Sequence, residues 1–135
     1  MEVLAARLNE LVSRLSRRLR RSYHESGITP ARLSALTAVV SAGPLTAGQL
    51  AQSEQVSAPV VTRILDALET AGLVTRNPDA SDRRIVRIEA TERGRRVMDE
   101  GRAWQVETLA RDLRGLAADD LAALDRALDT LEELD

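Results

Sequence analysis

Two short groups of residues have the types and spacing to act on a polyanion. The first is Ser57-Ala58-Pro59 followed by Val61, Thr62 and Arg63. Small side chains at a helix start allow close approach to a groove, where unpaired N–H groups and the helix dipole favour a phosphate. Thr62 offers a hydroxyl and a methyl to base edges, and Arg63 a planar fork to guanine or phosphate. Ser57 can cap the helix and also touch a nucleic-acid backbone. Val61 falls both in this candidate set and on the apolar stripe of the same helix. An ordinary capped surface helix would share these features; the second group favours recognition.

That second group is Asp82-Arg83-Arg84, at the tip of a polar turn. An arginine at a hairpin tip can enter a minor groove, above all a narrow A·T-rich one. Strand alternation would send the two side chains in opposite directions. The reading assigns Arg83 to DNA and pairs Arg84 with Asp82 or another acid, stiffening the hairpin. The reverse assignment stays open, and so does a solvated turn.

These groups need elements to position them, and helical periodicity covers most of the chain. Residues 2–25 predict a long first helix, with Leu4, Leu8, Leu11, Leu15 and Leu19 on one stripe and Arg14, Arg17, Arg18 and Arg21 on a second, stopped by Gly27. Thr29-Pro30 starts a second helix that Gly43-Pro44 ends, and Thr46 caps a third over Ala47–Ser53. The fourth, Ser57–Ala71, buries Val61, Ile64, Leu65 and Leu68 and closes at Gly72. Strands at Leu73–Arg76 and Ile85–Ile88 flank the turn residues 77–82. Thr91-Glu92 opens a fifth helix running to about Arg114, with Val97, Trp104, Leu109 and Leu113 inward, and Gly115 breaks it. The last helix carries Leu121, Leu124, Leu128, Leu131 and Leu134 as an apolar seam.

The order helix, helix, helix, helix, hairpin, helix, helix predicts a mainly α fold with a small β-hairpin wing. Residues 29–91 form a winged helix-turn-helix within a single domain spanning 1–135, and 1–28 with 92–135 form a helical dimerisation region. The two terminal seams have little chain left to cover them, which favours a homodimer over helices folded back on their own domain. Two recognition helices about 34 Å apart would suit a pseudo-palindrome.

Composition narrows the function classes. The net charge of −2 conceals an uneven layout. Residues 116–135 carry seven acids against Arg126, a local charge of −6, and leave +4 on the remainder. A basic face can therefore bind phosphate while an acidic tail lies elsewhere. All basic residues are arginine, and there is no cysteine, which removes disulfides, thiolate metal sites and thiol redox sensing. No apolar run approaches the ~18 residues of a membrane span, and the N-terminus lacks a signal-peptide pattern. A soluble cytoplasmic protein without membrane contact is expected. With one histidine, no glycine-rich phosphate loop and no metal-ligand spacing, neither an enzyme nor a cofactor or metal site is expected. A triad of Ser57, His24 and an aspartate can be drawn, but Ser57 is better used as a cap.

The stretch Val56-Ser57-Ala58-Pro59, Val61-Thr62-Arg63-Ile64, Leu68-Glu69, Gly72-Leu73-Val74, Arg76, Asp82-Arg83-Arg84 and Thr91-Glu92-Arg93-Gly94 resembles the signature of the MarR (multiple antibiotic resistance regulator) family. The resemblance implies a homodimer that binds a promoter palindrome in double-stranded DNA, usually represses it, and in many relatives lets go when a phenolic or anionic small molecule binds. Ser81 stands where many relatives have a further wing arginine, and Ala90 where a leucine is common. Candidate sensor groups are few: Tyr23, His24 and Trp104, with Arg17 and Arg21 for an anion. Core packing for Trp104 and a helix-end place for His24 are the stronger readings, and no residue is assigned to ligand binding. A helical protein-interaction module without DNA is the alternative function.

Overall fold

The structure is a computed structural model. It describes residues 1–24 and 27–134, except for the side chains of Ser22 and His24. The chain divides into two compact units, Met1–Arg102 and Ala103–Asp135.

The first unit begins with α1 (Glu2–Leu19) and the short α2 (Arg21–His24). The sequence predicts one helix here, but the regular ladder is interrupted at Arg20. The Tyr23 N–H donates to the Arg20 carbonyl three residues back, tightening the turn. That turn delivers Tyr23 to the core, 4% exposed, with its ring against Gly101 and its hydroxyl donating to the Met98 carbonyl at 3.4 Å. Burial pushes the Tyr23 phenol up from its ordinary value. Gly27 takes a positive φ of 74°, and the Ile28 N–H reaches back to the Tyr23 carbonyl, the closure expected of a glycine stop.

Local sequence explains the next helices. Thr29 caps α3 (Pro30–Ala42), its Oγ1 accepting from the Arg32 N–H, with Pro30 where a missing N–H costs nothing. Thr46 and Gln49 form a reciprocal capping box on α4 (Ala47–Glu54). Gln55 in the left-handed region turns the chain into α5 (Ala58–Thr70), the candidate recognition helix. Gly72, φ 74°, ends α5, and the Leu73 N–H closes onto the Leu68 carbonyl.

Strands β1 (Val74–Pro78) and β2 (Val86–Ala90) pair antiparallel, from Val74 opposite Ala90 to Pro78 opposite Val86. Both start one residue and end two residues later than the sequence indicates; for β1 this is because the tight part of the loop begins only at Asp79. Leu45 adds an unforeseen third partner: its N–H and carbonyl exchange bonds with Ile88 at 3.0 and 2.6 Å. The wing is thus sewn to the segment before α4. The core gathers Leu36 and Val39 of α3, Leu50 of α4, Val61, Leu65 and Leu68 of α5, and Val74 and Ile88 of the hairpin.

Helix α6 (Glu92–Leu113) starts against the end of α5. Thr91 Oγ1 donates to the Gly72 carbonyl at 2.6 Å and accepts from the Gly94 N–H at 2.9 Å. Gly94 then lies directly on the Leu73 backbone, where an added Cβ would collide with the Leu73 carbonyl oxygen. In the second unit α6 ends at Leu113 and α7 (Ala118–Glu132) follows. Trp104 of α6 is 42% exposed rather than in the core the sequence suggests. Leu134 lies just past the end of α7.

Gly94→Ala should lower stability by about 1–3 kcal/mol, the usual cost of overpacking, read as a lower urea midpoint. An unchanged midpoint would show that the Thr91 corner is not closely packed.

Candidate nucleic-acid interface

One side of α5 is committed to the core and the other is bare. Val61, Leu65 and Leu68 are each 1% exposed. This corrects the place of Val61 among the candidate DNA contacts: it faces the interior and supports the helix from behind. Ser57, Ala58, Pro59, Thr62 and Arg63 all lie on the exposed side, so these five are brought together.

Their chemistry differs in detail from the sequence reading. Ser57 holds the N-cap position without a side-chain cap bond, leaving its hydroxyl uncommitted there. Pro59 brings no N–H, while those of Ala58 and Val60 precede the first i to i−4 bond, from Val61 to Ser57. The Thr62 hydroxyl donates to the Ala58 carbonyl at 2.9 Å. Its oxygen can therefore still accept a bond, and its methyl is exposed, but its proton is taken. Among the described residues, Arg63 has no ion-pair partner. Further along α5, Asp66 and Glu69 meet Arg76 of β1 at 2.8 and 3.4 Å. This pairing offsets two acids that would repel a phosphate, and sequence reasoning missed it.

The wing tip is organised by two aspartates. Asp79 accepts from the Ser81 and Asp82 N–H groups at 3.0 and 3.1 Å and from Arg87 Nε at 3.0 Å. Asp82 accepts from the Arg84 N–H and holds the Arg84 guanidinium through Nε and Nη2 at 3.1 and 3.0 Å. Arg83 and Arg84 thus sit in a turn built on Asp82, so strand alternation is not what separates them. Arg84 is paired with Asp82, and Arg83 is exposed with no acidic partner among the described residues. The role of Asp79 had only one sequence signal, an aspartate two and three residues ahead of amides that need an acceptor.

The sensor candidates are placed as follows. Tyr23 is core, Trp104 is exposed in the other unit, Arg17 and Arg21 are exposed, and the His24 side chain falls outside the described residues. Among the described residues no cluster of acids and histidine is arranged to hold a metal ion, and no helix is long and apolar enough to cross a membrane.

An exposed helix start backed by a buried stripe, beside a hairpin with an unpaired arginine, defines the winged helix-turn-helix class. Residues 28–86 match the model of the MarR family. An HTH-type transcriptional regulator of Mycobacterium leprae, ML2140, is 34% identical over 97% of this chain and 92% of its own. The transcriptional regulator Tm0710 of Thermotoga maritima superposes with a TM-score of 0.91 at 24% identity, over 99% of this chain and 94% of that one. A mutant of S. aureus MepR bound to an oligodeoxyribonucleotide gives 0.79 at 19% identity, over 98% of each chain. The chain belongs to the MarR family and is a DNA-binding transcription regulator.

The Asp79 carboxyl is held below its ordinary value, first by the Arg87 hydrogen bond and then by the two loop amides, and Asp82 is lowered by Arg84. A depressed carboxylate stabilises the fold above its unfolded pKa of ~3.9 and loses that contribution as pH falls through the lower folded value. Protection of the Ser81 and Asp82 amides, taken relative to the intrinsic base-catalysed exchange rate at each pH, should therefore hold steady at neutral pH and fall only below about pH 4. Loss of that protection near neutrality would contradict the assignment.

Proposed function

We propose that the protein is a cytoplasmic homodimeric repressor, that it covers a pseudo-palindromic promoter site, and that a small molecule releases it. The observation that carries DNA reading is the bare face of α5 over the buried Val61, Leu65 and Leu68, which leaves the Ser57 hydroxyl, the Thr62 oxygen as an acceptor and the Arg63 guanidinium exposed at the helix start. Ser57, Ala58, Pro59, Thr62 and Arg63 enter the major groove. Arg83 reaches the adjacent minor groove, and Arg84 holds the wing in shape through Asp82.

Dimerisation is supported by two exposed apolar seams, one in each unit. On α1, Leu4, Leu8, Leu11 and Val12 are 62%, 41%, 43% and 52% exposed. On α7, Leu121, Leu124, Leu128 and Leu131 are 37–49% exposed. Full burial of a leucine is worth roughly 1.5–3 kcal/mol, so a second copy that covered these exposed side chains would add stability. Residues 1–28 and 92–135 are assigned to this role, and 29–91 to DNA. The resemblance to MarR regulators supports the repressor sign and effector release.

Binding to the chain's own upstream duplex should weaken steeply with salt, by about 0.9 log unit per log unit of salt for each phosphate contact. Arg63→Ala should cost about 1–3 kcal/mol of specific binding, and Arg83→Ala should weaken binding and relax any A·T preference at the flanks. Sedimentation should return a dimer. A folded monomer without duplex affinity at low salt, or a tight protein partner in place of DNA, would overturn the proposal.

A further inference from the structure

Arg63 and Asp66 stand three residues apart on the exposed side of α5, the spacing at which opposite charges meet on a helix. Among the described residues no ion pair joins them. Asp66 is held instead from another element. Arg76 of β1 donates through Nη2 to its Oδ1 at 2.8 Å, and the same guanidinium meets Glu69 of α5 at 3.4 Å. A strand residue ten positions away has taken the acid that the helix itself offers to Arg63. The strand fixes where Arg76 starts from. Arg76 lies opposite Ile88 in register, and Ile88 is buried and bonded through both its backbone groups to Leu45. Val74, two residues earlier and so on the same strand face, lies in the core.

Exposure separates the roles of the three side chains. The Asp66 and Glu69 side chains are 59% and 45% exposed and that of Arg76 only 28%. A duplex approaching this face meets the two carboxylates before the guanidinium that neutralises them, so Arg76 is poorly placed to hold a phosphate itself. We propose that Arg76 is a positioning residue for DNA recognition: by engaging Asp66 and Glu69 it leaves Arg63 unclaimed and free to reach the duplex. This rests on the DNA contact given to Arg63 above. Without Arg76, Asp66 draws Arg63 along the helix surface, and both carboxylates face the phosphates uncompensated. Exposed ion pairs of this kind add little to folding stability, so the effect falls on binding.

In the full chain without DNA, the Arg63 Nε–H resonance reports the capture. It should shift in Arg76→Gln and return towards its parent position when Asp66→Asn is added. A resonance indifferent to Arg76→Gln would overturn the proposal. With the chain's own upstream duplex, Arg76→Gln should weaken binding about five- to tenfold, the scale of uncompensated like charge at an interface. Adding Asp66→Asn and Glu69→Gln should restore most of that loss. Weak binding that persists in the triple variant would mean that Arg76 holds a phosphate or staples the wing, and would overturn the proposal. In an Arg63→Ala background Arg76→Gln should cost clearly less than in the parent, because no Arg63 is left to capture. Asp66→Asn with Glu69→Gln, Arg76 intact, should bind at least as tightly as the parent, and it decides the matter if Arg76→Gln does not fold. A loss in that variant would show that the ion pairs themselves, and not the release of Arg63, are required. Unchanged duplex affinity in Arg63→Ala would count against the DNA contact of Arg63, and the resonance would then still decide whether Arg76 governs its pairing.

Discussion

Helix α5 is buried along one stripe only, and the usefulness of the rest of the molecule depends on that one-sided seating. Val61, Leu65 and Leu68 lock it against α3, α4 and the hairpin, so its opposite face cannot roll inward to hide Thr62 or Arg63. A helix that reads a groove needs this, because its contacts have short range and a small rotation would misalign them all. Large-to-small changes along the stripe would remove packing that fixes orientation as well as stability.

The seating continues past the helix end. Gly72 and Gly94 let two backbones approach where a Cβ would intrude or strain, and the Thr91 hydroxyl serves both chain segments at once. The wing is joined at two places, by Leu45 at its base and by Arg76 to the acidic side of α5. Asp79 and Asp82 gather the loop so that Arg84 is spent on shape and Arg83 remains outward.

Much of this was legible because its causes are local. Thr29, Thr46 and Thr91 as caps, Gly27 and Gly72 as stops, and the leucine stripes all act within a few residues of themselves. The Arg84–Asp82 pair was legible too, since two residues separate the partners. What escaped depends on distant chain or on side-chain choice. The Leu45–Ile88 bridge joins segments 43 residues apart, and no periodicity announces it. The break at Arg20 follows from packing Tyr23 on Gly101, which a helical pattern cannot foresee. Val61 lies between two readings in the sequence and is decided by burial, while the Thr62 proton is taken by a carbonyl one turn back. Trp104 was assigned to the core by its place in the helical pattern, yet it is exposed on α6.

Because the chain lacks cysteine, a single engineered thiol on α5 reports only its own surroundings. The most direct test is the rate of thiol labelling in Ala58→Cys, Thr62→Cys and Thr70→Cys, with and without the chain's own upstream duplex. One-sided presentation of the helix start predicts strong protection at the first two positions and none at the third, which lies at the far end of α5. Equal protection at all three, or protection at Thr70→Cys alone, would contradict it.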